Sequence, residues 1–332
     1  MRLFQFALCV VLCCTSVSYH HEGSVQDENV AAALRLNDFI PDGTESCVEI
    51  KKGSSAIRPQ LAAVTNAASY GGLIAPGGLA VLWGARFSEA GEEYSAAVTP
   101  LPRLLGRVQV LWRAADWNAT IAGSRNRCGW RAAPLLYVGP HQINFQVPMF
   151  FYKPFADENG NGDGRFANFE GREYEFIVLR ELPDGTTKVS SNTIKLKVNS
   201  HAPEFFSNAV VEYPTWQVPA DIAPGRTLVG YLTGLGKISD HEPEGSVPPS
   251  PPWTTSYLTY VEYRNIYGAR LLRAGFLFAG RAPGFVGVDQ VNFVVPVLPV
   301  SSGEPVTIHL CTGADNADRC SEKGATFLYR AP

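Results

Sequence analysis

Hydrophobic positions along this chain recur in short stretches with a period of two, and one such stretch occurs twice. Gln142-Ile143-Asn144-Phe145-Gln146-Val147-Pro148 is matched by Gln290-Val291-Asn292-Phe293-Val294-Val295-Pro296. The alternation places Ile143, Phe145 and Val147, or Val291, Phe293 and Val295, on one face. That is the period of a half-buried strand, and the closing proline ends it because it cannot donate to a ladder. A second landmark is also doubled, since Ile74-Ala75-Pro76-Gly77 returns as Ile222-Ala223-Pro224-Gly225. Both landmarks share one offset (224 − 76 = 290 − 142 = 148). Two motifs at one spacing mark an internal duplication of a whole domain, far longer than a solenoid repeat.

Between the landmarks each copy carries further strand-like runs. Leu79 to Gly84, Arg107 to Trp112 and Ala133 to Val138 in the first copy correspond to Thr227 to Leu232, Leu258 to Tyr263 and Ala274 to Gly280 in the second. A closing hairpin follows each signature, at 174–179 with 193–198 and at 306–310 with 325–329. Short strands with Gly/Pro turns and no long amphipathic helix predict an all-β protein of two tandem immunoglobulin-like antiparallel β-sandwiches. The boundaries expected are a first sandwich over 59–202, a stiff proline-bearing linker over 203–219 and a second sandwich over 220–332.

The residues that carry this pattern resemble a known family. In the first copy they are Val64-Thr65-Asn66-Ala67-Ala68-Ser69-Tyr70, the Ile-Ala-Pro-Gly turn, and Ala133-Pro134-Leu135-Leu136-Tyr137-Val138 leading to Gln142. In the second they are Leu232-Thr233-Gly234-Leu235-Gly236, a proline-rich loop, Phe278-Ala279-Gly280, Ala282-Pro283-Gly284-Phe285-Val286-Gly287 and Gln290. Together they resemble the uncharacterised C-terminal domain family of exported Solibacter and other acidobacterial proteins, tandem modules of the IPT/TIG kind. The resemblance covers roughly residues 60–332. It implies the immunoglobulin-type fold and brings no catalytic residue or ligand with it. The chain departs from the family by insertions at about 113–131 and 152–172.

Composition adds the compartment. Arg2 followed by the apolar run Leu3 to Cys14 and the small-residue site Ser16-Val17-Ser18 reads as a signal peptide over 1–18. A polar leader over 19–58 follows, and no later run is long enough to span a bilayer. The expectation is an exported protein, secreted or at the cell surface, with no transmembrane segment in the mature chain. The formal net charge of −3 gives no pull towards nucleic acid. Cys47, Cys128, Cys311 and Cys320 remain after the signal, an even number that suggests disulfides. The hairpin-like spacing of Cys311 and Cys320 favours pairing those two, which leaves Cys47 with Cys128. No Cys-x-x-Cys spacing suggests zinc.

Candidate chemistry lies in the insertions. Asn159-Gly160-Asn161-Gly162-Asp163-Gly164-Arg165-Phe166-Ala167-Asn168-Phe169-Glu170 follows a twelve-residue calcium loop. Its oxygen ligands would be Asn159, Asn161, Asp163, the Arg165 carbonyl and Glu170, with Asp157 available in a shifted register. A solvated Asn/Gly turn explains the same residues without metal. Calcium is the one cofactor considered. Trp112, Trp117 and Trp130 beside Arg127 could stack on a glycan, against the plainer alternative of sandwich-core tryptophans next to a solvated basic loop. Catalytic templates fail, with no Gly-x-Ser-x-Gly elbow, no His-Glu-x-x-His and no phosphate-binding loop. The functional expectation is a non-catalytic binding, adhesion or structural module for an extracellular protein or glycan. A secreted glycan-processing or other hydrolytic enzyme is the alternative.

Overall fold

In the computed structural model the residues described are 57–115, 130–149, 172–238, 242–250, 252–255, 258–314 and 317–332. The first half supplies β1 (Gln60–Asn66), β2 (Leu79–Ala85), β3 (Tyr94–Ser95), β4 (Val108–Ala114), β5 (Arg131–Ala132), β6 (Leu135–Val138), β7 (Gln142–Gln146), β8 (Arg172–Glu181), β9 (Lys188–Ser190) and β10 (Ile194–Val198). The second half supplies β11 (Glu204–Glu212), β12 (Asp221–Ile222), β13 (Thr227–Thr233), β14 (Leu258–Asn265), β15 (Arg270–Ala274) and β16 (Phe278–Arg281). It closes with β17 (Asp289–Val294), β18 (Pro305–Ala314), β19 (Ala317–Cys320) and β20 (Ala325–Tyr329). Among the described residues there is no helix, so none is long and apolar enough to cross a membrane.

Each half is a two-sheet sandwich of one topology. The shared sheet order is β1-β2-β7-β6 facing β10-β8-β4-β5 in the first, where β3 extends the sheet beside β6, and β11-β13-β17-β16 facing β20-β18-β14-β15 in the second, where β12 extends the sheet beside β20. In strand letters these are ABED against GFC, the constant-type immunoglobulin arrangement with one added strand beside C. The alternation read from the sequence fills both cores. Ala80, Leu82, Ile143 and Phe145 meet Val110, Trp112, Phe176 and Val178 in the first. Leu228, Leu232, Val291 and Phe293 meet Val261, Tyr263, Ile308 and Leu310 in the second.

The duplication holds at the level of single hydrogen bonds. Gly77 N–H donates to the Val147 carbonyl at 2.8 Å, and Gly225 N–H to the Val295 carbonyl at 2.9 Å. Ala80 pairs with Phe145 as Leu228 pairs with Phe293. The doubled turn is therefore stitched to the end of the doubled strand in each copy. Its glycines lie at φ 75° and 82°, a left-handed conformation that glycine adopts without steric cost.

Two expectations need correction. The stretch 203–219 is no linker, because β11 occupies Glu204–Glu212 and forms the first strand of the second sandwich. A bulge between Phe205 and Val210, with Asn208 at φ 55°, breaks the period-two pattern that would have revealed it. The run Ala274 to Gly280, expected as one strand, is the end of β15 and most of β16, divided by Gly275-Phe276-Leu277.

Candidate functional site

The sandwiches meet face to face through the sheets that hold the signature strands. On β2 and β13 the residues between the core positions point outward, and they share one apolar cluster. Leu79 and Val81 of the first sandwich join Phe206, Val229, Tyr231 and Val288 of the second there. Polar atoms at this junction are also matched. Thr233 Oγ accepts the Leu79 N–H at 2.7 Å and donates to the Gly287 carbonyl at 2.9 Å. The Asn66 amide donates to the Ala202 carbonyl at 3.2 Å. A strap from the second sandwich lies over the first, where Gly245 N–H reaches Gln146 Oε1 at 2.6 Å and Glu244 takes both the Met149 N–H and Arg103 at 2.8 Å.

Beneath that strap sits a buried ionic group. Arg281 bonds Glu242 and Asp289, and it donates to the Gly236 carbonyl at 3.0 Å. All three charged side chains are at most 3% exposed. Burial pushes the Asp289 carboxyl up from its ordinary range, against the pull of the guanidinium and the Leu235 N–H. For Arg281, burial works against the charge, but the two carboxylates outweigh it and raise the pKa. The guanidinium lies against Gly77, where an added Cβ would come within 2.3 Å of Nη2. At a neighbouring point of the junction, Glu204 accepts the Glu322 N–H at 2.7 Å and the Lys323 N–H at 3.3 Å, while Lys323 Nζ reaches the Ser69 carbonyl at 2.8 Å. Burial lifts the Glu204 pKa to about 7 despite those two donors.

The residues singled out from sequence fall elsewhere. Trp112 is in the first core, 4% exposed and 6.1 Å from the Tyr174 ring. Trp130 is 1% exposed with the Arg113 guanidinium 4.4 Å over its ring. Neither ring offers an open face to a sugar. Trp117, Arg127, Cys47, Cys128, Asp157, Asn159, Asn161, Asp163, Arg165 and Glu170 lie outside the described residues. Cys311 and Cys320 are paired across β18 and β19 as a disulfide, with Cα atoms 3.9 Å apart. Glu262 comes close to both sulfurs. Oxidised sulfurs provide no thiolate ligand, however, and its carboxylate is held by Arg264 at 2.7 Å and Arg273 at 3.0 Å.

A feature the sequence reading missed stands in the supposed linker. Tyr213-Pro214-Thr215-Trp216 forms a turn closed by Trp216 N–H to the Glu212 carbonyl at 2.7 Å. Tyr213 is 55% exposed and Trp216 37%, with their rings edge-to-face 5.6 Å apart. Trp216 lies at φ 57°, a conformation that costs a bulky side chain energy and is worth noticing wherever it occurs. A counterpart exists in the first copy, where Tyr70 lies at φ 59° and its N–H reaches the Asn66 carbonyl at 3.0 Å. The two turns are offset by 146 positions (216 − 70), two short of the main repeat, which hides the match in sequence.

No family model matches the chain, and no curated protein matches it. Among solved structures, the chain is similar to a crystal structure of the FN1–FN3 domains of chicken CNTN1. Identity is 8%, with 82% of this chain and 67% of that chain covered, at a TM-score of 0.22. The fold assignment rests on the strand order above and needs no support from that likeness.

Proposed function

We propose that this chain is an exported, non-catalytic binding or adhesion module at or outside the cell surface, with the Tyr213–Trp216 turn as its recognition surface. One observation carries the reading. Two aromatic rings are held out to solvent on a left-handed turn, fixed to two sandwiches that share a core. Exposed Trp and Tyr on a rigid frame are the side chains that dominate recognition energies, since little entropy is lost when they are covered. The Cys311–Cys320 disulfide suits an oxidising compartment, and the signal-like residues 1–18 and the resemblance to exported acidobacterial domains point the same way. Calcium at Asn159–Glu170 belongs to the proposal on its spacing alone.

Trp216→Gly provides the test. Glycine accepts φ 57°, so the variant is expected to melt at or slightly above the wild-type temperature while losing the ring. Retention on isolated cell envelope and on a glycan array is expected to fall at least tenfold. Unchanged retention by a folded variant would sink the reading. Repeating the assay with and without millimolar calcium, and with Asp163→Ala, tests the loop. Retention or melting temperature that responds to calcium in the wild type and not in Asp163→Ala supports a metal there, and indifference in both removes it.

A further inference from the structure

The same turn occurs in both sandwiches with its tip residue exposed, Tyr70 at 43% and Trp216 at 37%, but the row of sheet residues beside it is covered in only one. In the first, Ala67 N–H donates to the Leu79 carbonyl and Leu79 pairs with Gln146, forming a row across the outer face of the sheet. The second sandwich closes over that row, leaving Ala67 7%, Leu79 4% and Gln146 1% exposed. The equivalent row in the second sandwich is Tyr213, Thr227 and Val294, joined by the Tyr213 N–H to Thr227 carbonyl bond and the Thr227–Val294 pair. There, Tyr213 is 55% and Val294 38% exposed. Thr227 and Val294 lie two residues along their strands from the paired Val229 and Asn292, on the same face. Val229 belongs to the apolar cluster between the sandwiches. The open row thus continues an interface that the molecule already uses.

We propose that this row is a self-association surface, on which the Tyr213–Thr227–Val294 row of a second copy of the chain packs in a two-fold pair. The inference rests on reading the open turn as a recognition surface and names what it recognises. Two observations select a second copy. The charges around the row cancel, because Arg226 lies 3.2 Å from Glu212 and 3.4 Å from Asp221, and Arg330 lies 3.0 Å from Asp221. A locally neutral apolar row can meet its own image without like-charge repulsion. A head-to-tail contact, by contrast, cannot be repeated between copies. The second sandwich covers the first partly through Val288, Gly287 and Ala282, from the connection between β16 and β17. In the first sandwich, β6 and β7 are joined only by Gly139-Pro140-His141, so its corresponding end has no such loop to offer. Self-complementary pairing of like rows remains, the commonest form of homo-oligomer contact.

Sedimentation velocity on the purified full chain over a hundredfold concentration range is expected to show a monomer–dimer equilibrium. Tyr213→Glu combined with Val294→Glu is expected to weaken it at least tenfold, with the melting temperature checked alongside. Tyr267→Glu, on the 87%-exposed tip of the β14–β15 hairpin, is expected to leave it unchanged. Val294→Cys supplies a reading that does not depend on losing anything, since mild oxidation should join the introduced thiols of two copies in a covalent dimer. A chain monomeric throughout, a dimer indifferent to the double substitution, or a dimer in which Val294→Cys fails to cross-link would each overturn the proposal. A monomer whose envelope retention is still lost on Trp216→Gly would overturn self-association alone and leave the recognition surface standing.

Discussion

Gly77 and Gly225 occupy the same place in the same doubled turn, at φ 75° and 82°, yet their surroundings differ. Around Gly225 a Cβ would meet nothing within 4 Å, whereas at Gly77 it would fall 2.3 Å from Arg281 Nη2. The guanidinium cannot yield freely, because it is fully buried and tied to Glu242 and Asp289. Gly225→Ala should therefore cost only the left-handed backbone penalty, about 1–2 kcal/mol. Gly77→Ala adds the breaking of a buried ion group, which by itself costs about 3–5 kcal/mol. Denaturant melts of the two variants measure the difference directly. Equal losses would mean that Arg281 moves aside without consequence. Chemically identical residues in a repeat are thus separated by what the other copy does to them.

Among the elements, the β19–β20 connection acts as a clasp, since Glu322 and Lys323 bind Glu204 and Lys323 reaches across to Ser69. Glu204 titrates at about 7 in the fold, against 4.5 for the free side chain. A carboxyl raised in this way gives a stabilising contribution that is fully present below about 4.5 and is lost as pH rises through about 7. Melting temperatures of wild type should fall relative to Glu204→Gln between pH 5 and pH 8, about the window set by that shift. Parallel curves across the window would show that Glu204 does not titrate there.

The strands themselves were largely legible in the sequence, because Ile143, Phe145, Val291 and Phe293 alternate cleanly and carry their own terminators. Their polar neighbours were legible only as facing away from the core. The bonds from Gln142 to Asn144 at 2.6 Å and from Gln290 to Asn292 at 2.8 Å run along the strand, not to loops as the alternation alone would allow. β11 was hidden because its bulge resets the period at Asn208, and the aromatic turn because two inserted residues shift its repeat. Contact between the sandwiches could not be read at all. Leu79 and Val81 look like ordinary strand residues until the partner sheet is placed over them.

At the scale of the whole molecule, those residues remove the independence that tandem modules usually keep. Apolar side chains from both sheets, the Thr233 hydroxyl, the Gly245 strap and the Glu204 clasp all bridge the two halves. Heating should give one calorimetric transition with equal calorimetric and van't Hoff enthalpies. Two resolved transitions would show that the shared face contributes little to either half.

The crossing from one sandwich to the next has a mechanical consequence. His201 and Ala202 are 1% and 4% exposed and Pro203 is buried, so the chain passes between the halves inside the junction and not along a tether. Asn66 and Gly234 both bond Ala202 there, at 3.2 and 2.8 Å. A pull applied across the molecule would therefore have no slack to take up. It would load the sheet-to-sheet contact from the outset, as in a rivet and not a hinge.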